Sequence, residues 1–252
     1  MAEKETINNP KDLIEAVPEE IAKIEESEKQ LEKAEQKKDS LAPWSPKTKL
    51  GKLVKEGKEK NIDKILSEGK KILESEIVDS LLSLESELIL IGQAKGKFGG
   101  GKRRAWRQTQ KKTMEGNVIS FSTMVVVGDK NGHVGIGYGK AKETLPAREK
   151  ALREAKLNIR KIERGCEDPA DNAKNDPHTV PFKIEGKCGS ARITLIPAPR
   201  GTGLAVADEC KKVLRLAGIK DVYSRAKGQT RTSFNLIKAC INALDNTTKI
   251  IK

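Results

Sequence analysis

Aromatic side chains are scarce in this sequence: two Trp, two Tyr and four Phe among 252 residues. A protein that lies on an anionic membrane needs a basic amphipathic helix with bulky apolar anchors, and no segment here has that composition. Nor does any apolar run approach the ~18 residues of a membrane-spanning helix. The first 25 residues hold Glu3, Glu5, Glu15, Glu19 and Glu20 and no apolar block, so no secretory leader is expected. Cysteine is limited to four scattered residues. That is no disulfide scaffold and points to a soluble protein of a reducing compartment. With only two His and no Gly-x-Ser-x-Gly motif, no acid–base pair or nucleophile set stands at useful spacing, and no enzyme is expected. Apolar residues at 36% fall below the ~45–50% of an ordinary globular domain, so the core is not expected to use the whole length.

Positive charge is abundant and unevenly spread. Lys plus Arg number 49 and Asp plus Glu 36, a net of +13. Residues 1–91 carry 16 Lys, no Arg and 21 acidic residues, a net of −5; residues 92–252 carry 33 basic and 15 acidic residues, a net of +18. Such a surplus points to a polyanion, because Lys and Arg release condensed counterions from phosphate.

Along the chain, residues 1–42 are a Lys/Glu-rich extension, helical or mobile, in which Ile21, Ile24 and Leu31 form a stripe interrupted by Glu28. Pro43-Trp44-Ser45-Pro46 ends it. Residues 43–84 read as short helices, with Asn61 capping Ile62–Ser67 and Gly69 stopping it. Residues 85–162 read as helix, strand, strand, strand, helix once the helix near residue 75 is included. Leu88–Ile91 begins the first strand, residues 92–117 are a long connection, and Val118–Val127 is a strand. Asp129-Lys130-Asn131-Gly132 follows as a type I′ turn, Val134–Tyr138 returns, and Ala147, Ala151, Leu152, Ala155 and Ile159 share a helical face. Residues 163–178 are a polar linker. Residues 179–252 form an α/β domain. Its strands are expected at Val180–Lys187, Arg192–Ile196 and Ile219–Tyr223. Its helical stripes are Val206, Cys210, Val213, Leu214 and Ala217, then Phe234, Ile237, Ile241 and Leu244.

The densest basic stretch runs from Lys95 to Thr113. It includes Lys102, Arg103, Arg104 and Arg107, interleaves Phe98 and Trp106, and contains Gly99-Gly100-Gly101. Arg forks grip phosphate and aromatics stack on bases, so this is the leading candidate for a nucleic-acid contact. Gly135-Ile136-Gly137-Tyr138-Gly139-Lys140 is close to a nucleotide loop but fails its templates. Val134 occupies the first Walker A glycine position and Ala141 the Ser/Thr position, while Lys140 stands where a dinucleotide fingerprint needs glycine. Its alternating glycines sit on one face of a strand, where another backbone or RNA can come close. Pro199-Arg200-Gly201-Thr202-Gly203 precedes a helix expected to start near Ala205, which Thr202 can cap; the segment is either a plain helix-entry loop or an anion site made by the free amides and Arg200. Cys166, His178 and Cys188 are a possible metal remnant, but no Cys-x-x-Cys pair accompanies them. Reduced thiols and a turn histidine are the preferred reading. His133 reads as a surface residue, and Cys210 and Cys240 as core.

These residues carry a resemblance. Arg103-Arg104-Ala105-Trp106-Arg107, Val125-Val126-Val127-Gly128-Asp129 and Gly132–Glu143 (GHVGIGYGKAKE) are similar to the N-terminal domain of the small-subunit ribosomal protein five family. Further matches are Pro177-His178-Thr179-Val180-Pro181-Phe182-Lys183, Leu195–Leu204 (LIPAPRGTGL), Leu214–Val222 (LRLAGIKDV) and Gly228-Gln229-Thr230-Arg231-Thr232. They are colinear over about residues 43–246. Trp44–Val54 and Arg164-Gly165-Cys166 resemble the archaeal and eukaryotic branch, and the composition leans archaeal.

The resemblance implies an α+β chain: a double-stranded-RNA-binding-domain-like α-β-β-β-α module, then a C-terminal α/β module, behind a helical N-terminal extension. It implies a cytoplasmic, non-enzymatic constituent of the small ribosomal subunit that needs no cofactor. Its partners would be small-subunit rRNA and ribosomal proteins four and eight, near the decoding region and the mRNA entry path. The expected roles are assembly and translational accuracy. Phosphate contacts are expected at Lys102, Arg103, Arg104, Arg107, Lys140, Lys142, Arg200 and Arg231. Some archaeal members place several Cys between the positions of Cys166 and His178; here Glu167–Lys174 holds none, so no zinc is expected. A phosphate-handling enzyme and an RNA regulator acting off the ribosome are the rival readings.

Overall fold

The computed structural model describes residues 44–93, 103–166 and 177–251. The extension 1–42, Lys102, Phe98, the glycine triplet and the middle of the acidic linker lie outside the described residues. The chain divides into two compact units, Met1–Pro46 and Lys47–Lys252; the second is described here.

Three short helices open it: α1 (Lys49–Lys55), α2 (Ile62–Ser67) and α3 (Ser75–Leu81). Thr48 caps α1 by accepting from Gly51 N–H at 3.0 Å. A carboxylate oxygen of Glu74 accepts from the N–H groups of Lys47 and Thr48 at 2.9 and 2.7 Å, tying α1 to the start of α3. Asn61 precedes α2 as expected, but its side chain makes no cap bond.

The first sheet comprises β1 (Glu85–Leu88), β2 (Trp106–Thr113), β3 (Gly116–Gly128), β4 (His133–Ala141) and β5 (Ile159–Lys161), with α4 (Thr144–Leu157) between the last two. β3 is the spine. Its first half pairs with β2, its second half pairs with β1, and β4 pairs along its other edge, all antiparallel. The expected connection over 92–117 is therefore corrected, because Trp106–Thr113 is a full strand. Its polar, basic composition hid it: with no buried face it lacks the hydrophobic alternation that signals a strand. Ile159 likewise belongs to β5 rather than to the helix, and Glu85–Leu88 is the first strand rather than Leu88–Ile91.

The second sheet has the order β6-β7-β9-β8: β6 (Ile184–Cys188), β7 (Ala191–Pro197), β8 (Leu204–Ala205) and β9 (Val222–Lys227). The short β8 runs parallel to β9 and the other pairs are antiparallel. Val180–Lys183 and Ile219–Asp221 thus lie outside the strands. Helices α5 (Asp208–Ala217) and α6 (Ser233–Ile251) bury Cys210, Val213, Leu214, Ile237, Cys240, Ile241 and Leu244 against this sheet. Gly218 ends α5 in the left-handed region at φ 82°, as its sequence position implies.

One core joins the two sheets. Met124, Val126 and Val134 of the first sheet cluster with residues of α5, α6 and the second sheet. Val125 and Val127, pointing the opposite way, pack on α4 with Ala151 and Ala155. The second half of β3 is covered on both faces, which explains its unbroken apolar run despite antiparallel pairing.

Candidate nucleic-acid interface

The strand–helix contact beside this interface rests on small residues. A Cβ on Gly135, Gly137 or Gly139 would lie 2.0–2.2 Å from the carbonyl oxygen of Ala155, Ala151 or Ala147, respectively. Two strand residues span about 6.6 Å and four helical residues about 6 Å, so every second residue of β4 meets every fourth of α4. Of the two approaches the sequence allowed, another backbone is the one that occurs here. The glycines pack a helix and cradle no phosphate.

β2 and β3 form a basic hairpin. In register, Arg107 faces Ser122, Lys111 faces Val118 and Lys112 faces Asn117. Met114 at the tip is fully exposed, and Trp106, Val118 and Ile119 are exposed along the arm. Lys140 lies opposite Ser122 on the other edge of β3, which puts Arg107, Ser122 and Lys140 in one cross-strand row on one face. Lys142 is exposed just beyond the end of β4.

At the base of the arm, Arg103, Arg107 and Arg231 converge on a groove of about 580 Å³, with Gln93, Tyr138, Phe234 and Asn235 among its walls and no acidic residue among the described residues that line it. The Arg103 guanidinium donates to Ser233 Oγ at 2.6 Å and to the Arg231 carbonyl at 3.3 Å, fastening the hairpin base to the start of α6. Tyr138 meets Phe234 edge-on, with ring centroids 5.3 Å apart. Lys238 Nζ sits 4.3 Å above the Phe234 ring centroid. Arg104 is exposed, its backbone bonded to Gln93 and Gly92.

Arg200 lies elsewhere, exposed in the loop between β7 and β8. The helix-capping role expected for Thr202 is corrected: α5 begins at Asp208 without a side-chain cap, and Thr202 Oγ1 donates to the Pro199 carbonyl at 2.8 Å. A row not singled out from sequence crosses the open face of the second sheet, where Lys187 pairs with Arg192 and Arg192 with Lys227. Only β9 carried a local signal, the period-two pair Arg225 and Lys227; β6 and β7 contribute one basic residue each, Lys187 and Arg192. Like charges placed opposite one another repel, and an anionic partner would relieve that repulsion.

His133 is corrected from a surface residue to a buried bridge. Its Nδ1 is 2.6 Å from Asp129 Oδ2 and its Nε2 is 3.1 Å from Asp63 Oδ1, linking the β3–β4 turn to α2. The hydrogen bond to Asp129, with help from Asp63, raises the imidazole pKa above its ordinary value even though burial opposes the shift. The turn itself is not type I′. Positive φ falls on Lys130 (62°) and Gly132 (102°), not on Asn131. The Lys130 N–H donates to the Leu216 carbonyl at 2.9 Å, so docking against α5, rather than the Asn-Gly pair alone, sets the backbone.

The possible metal set does not assemble. Among the described residues no three His, Cys, Asp or Glu group so as to hold a metal ion. Cys166 is buried beside the isolated bridge Gly165–Thr179, and Cys188 ends β6. His178 is buried rather than a turn residue; its ring nitrogens have no hydrogen-bond partner, and Asp221 Oδ2 lies 4.0 Å from Nε2.

A two-sheet α+β chain that projects a basic hairpin is built to present a cationic surface, and comparison with known proteins says which kind of protein it is. Residues 105–163 match the family description "Ribosomal protein S5, N-terminal domain" and residues 186–251 match "Ribosomal protein S5, C-terminal domain". The chain is 50% identical over 206 residues to the small ribosomal subunit protein uS5 of Nanoarchaeum equitans, covering 81% of this chain and 88% of that one. It is 44% identical over 212 residues to the protein of the same name from Methanothermobacter thermautotrophicus, covering 84% and 91%, and 46% identical over 208 residues to that of Pyrobaculum islandicum, covering 82% and 95%. The chain belongs to the uS5 family of small ribosomal subunit proteins, structural constituents rather than enzymes. Among the described residues no helix is long and apolar enough to cross a membrane.

Proposed function

We propose that this chain binds small-subunit rRNA through the β2–β3 hairpin and the three-arginine groove at its base, and that it works in the cytoplasm as part of the ribosome. The observation that carries this reading is the convergence of Arg103, Arg107 and Arg231, from two segments far apart in sequence, onto one groove with no acidic residue among its described walls. Arginine forks suit phosphate bidentately. Lys140 extends the row, and Arg104, Lys142 and Arg200 add outlying phosphate contacts, with Lys102 beside Arg103 in sequence. Their role is positioning rather than base reading. Residues 85–162 act as a double-stranded-RNA-binding-like module that reads A-form shape, joined through 163–178 to an α/β module over 179–252. The segment 43–84 buttresses the first module. Ribosomal proteins four and eight are the protein neighbours, near the decoding region and the mRNA entry path, and the chain supports assembly and accuracy there.

The test is sedimentation of a lysate through a sucrose gradient at low and high salt, probing for this chain. Retention in the small-subunit peak through a salt wash is the expected result. Migration only at the top of the gradient overturns the reading.

A further inference from the structure

We infer that the groove between Arg107, Arg231 and Tyr138 captures a single unpaired nucleotide extruded from an RNA helix. This rests on the RNA-binding reading above and sharpens it, because a duplex lying on the hairpin and a nucleotide entering the groove are different ligand geometries. The groove is concave and about 580 Å³, within the range of pockets that enclose one small ligand (about 300–1,000 Å³); a double helix is too wide to enter it. Its charge comes from arginines on the sheet and at the start of α6. Arg103 is fixed by Ser233 and the Arg231 carbonyl, whereas the guanidinium groups of Arg107 and Arg231 make no hydrogen bond or ion pair with other described residues. These two are placed to fork onto one phosphate.

Aromatic rings lie among the arginines: Tyr138 is on the same face of β4 as Lys140, in the row next to Arg107, and Phe234 follows Arg231 at the start of α6. Tyr138 is 37% exposed and held in orientation by its edge contact with Phe234, whose own ring carries Lys238. A ring fixed in this way offers a stacking platform at little entropic cost, and stacking accepts any base. Gln93 and Asn235, also in the wall, supply amide donors and acceptors for a base edge. Three arginines alone would suit any phosphate; arginines beside a partly exposed, braced tyrosine suit a phosphate with a base attached. In an 8-aromatic chain, setting two of them in this one groove is the feature that a purely backbone-binding surface does not require.

The experiment measures binding of the full chain, by fluorescence anisotropy, to a fully paired RNA duplex and to the same duplex with one bulged nucleotide, with AMP as competitor. The bulged RNA should bind roughly five- to hundredfold more tightly, the range for one stacked base. Tyr138→Ala should abolish that preference, while Tyr138→Phe should retain it. Arg231→Ala, at an exposed position, should weaken the bulged complex without affecting thermal stability. Equal affinity for both RNAs overturns the nucleotide pocket while leaving the RNA reading standing. Failure to bind either RNA at low salt overturns both. If AMP alone binds as tightly as the bulged duplex, the groove serves free nucleotides and the inference is wrong.

Discussion

Gly137→Ala tests the packing on which the first module depends. The added Cβ would lie 2.0 Å from the Ala151 carbonyl oxygen and 2.3 Å from the Ala155 nitrogen. Ordinary contact begins near 3.4 Å, so α4 must retreat by about 1.4 Å or β4 must bend. A gap of about 0.5–1 Å already forfeits a quarter to a half of the dispersion attraction across it. The retreat would loosen Val125, Val127, Leu88 and Leu152 together. Overpacking costs typically ~1–3 kcal/mol, and a clash with backbone on both sides belongs at the upper end, about 3 kcal/mol. At roughly 2–4 °C per kcal/mol for a domain of this size, the apparent Tm should fall by about 6–12 °C in a thermal melt followed by circular dichroism. Lys140→Ala, exposed on the same strand, should change stability by no more than about 0.5 kcal/mol. Because the clash is with main-chain atoms, Ala151→Gly should fail to rescue the variant. A loss under about 1 kcal/mol, or rescue by Ala151→Gly, would refute the close-packing argument.

Three further outcomes are expected. The His133 imidazole, its pKa raised by Asp129 first and Asp63 second, contributes stability that is complete below about pH 6.5, the unfolded-state value, and is lost as pH rises through the higher folded-state value. For Asp129 and Asp63, burial is the largest single influence and raises the pKa, but it is outweighed by the lowering interactions together, namely His133 with the Asn131 and His133 backbone N–H groups for Asp129, and His133 with Lys161 for Asp63, so their contribution fades only on acidification below the usual carboxylate range. Urea midpoints should therefore be highest between about pH 4.5 and 6 and fall toward pH 8. In His133→Gln the alkaline decline should vanish, and an unchanged slope there would contradict the bridge. Ile237→Ala, at a fully buried position of α6, should cost about 2–5 kcal/mol in denaturant unfolding while leaving RNA affinity per folded molecule intact. In thiol labelling of the native protein, Cys188 should react and Cys240 should not, since the neighbouring Cys210 thiol and complete burial push the Cys240 thiol well above its usual pKa; rapid native labelling of Cys240 would show that α6 opens.

The sequence by itself determined the elements whose signals are local. The stripe on α5 with its terminal glycine, the stripe on α6, and the Val-rich body of β3 all follow from periodicity and chain stereochemistry, and the family motifs are local strings. The Lys/Arg surplus beyond residue 92 likewise needs no coordinates. What only the tertiary structure decided concerns partners distant in sequence. β2 is a strand because β3 supplies its hydrogen bonds, not because its own residues alternate. His133 is buried because Asp63, 70 residues earlier, comes to meet it. The glycines of β4 belong to the Ala147–Ala155 ridge, and Lys130 takes a positive φ because α5 presents a carbonyl to its amide. Arg103, Arg107 and Arg231 become one groove only when α6 docks against the first sheet, bringing residues 128 positions apart within hydrogen-bond reach. Local propensity fixes a segment's preferred dihedrals, but burial and the pairing of polar groups depend on which surfaces meet, and that is set by the packing of the whole chain.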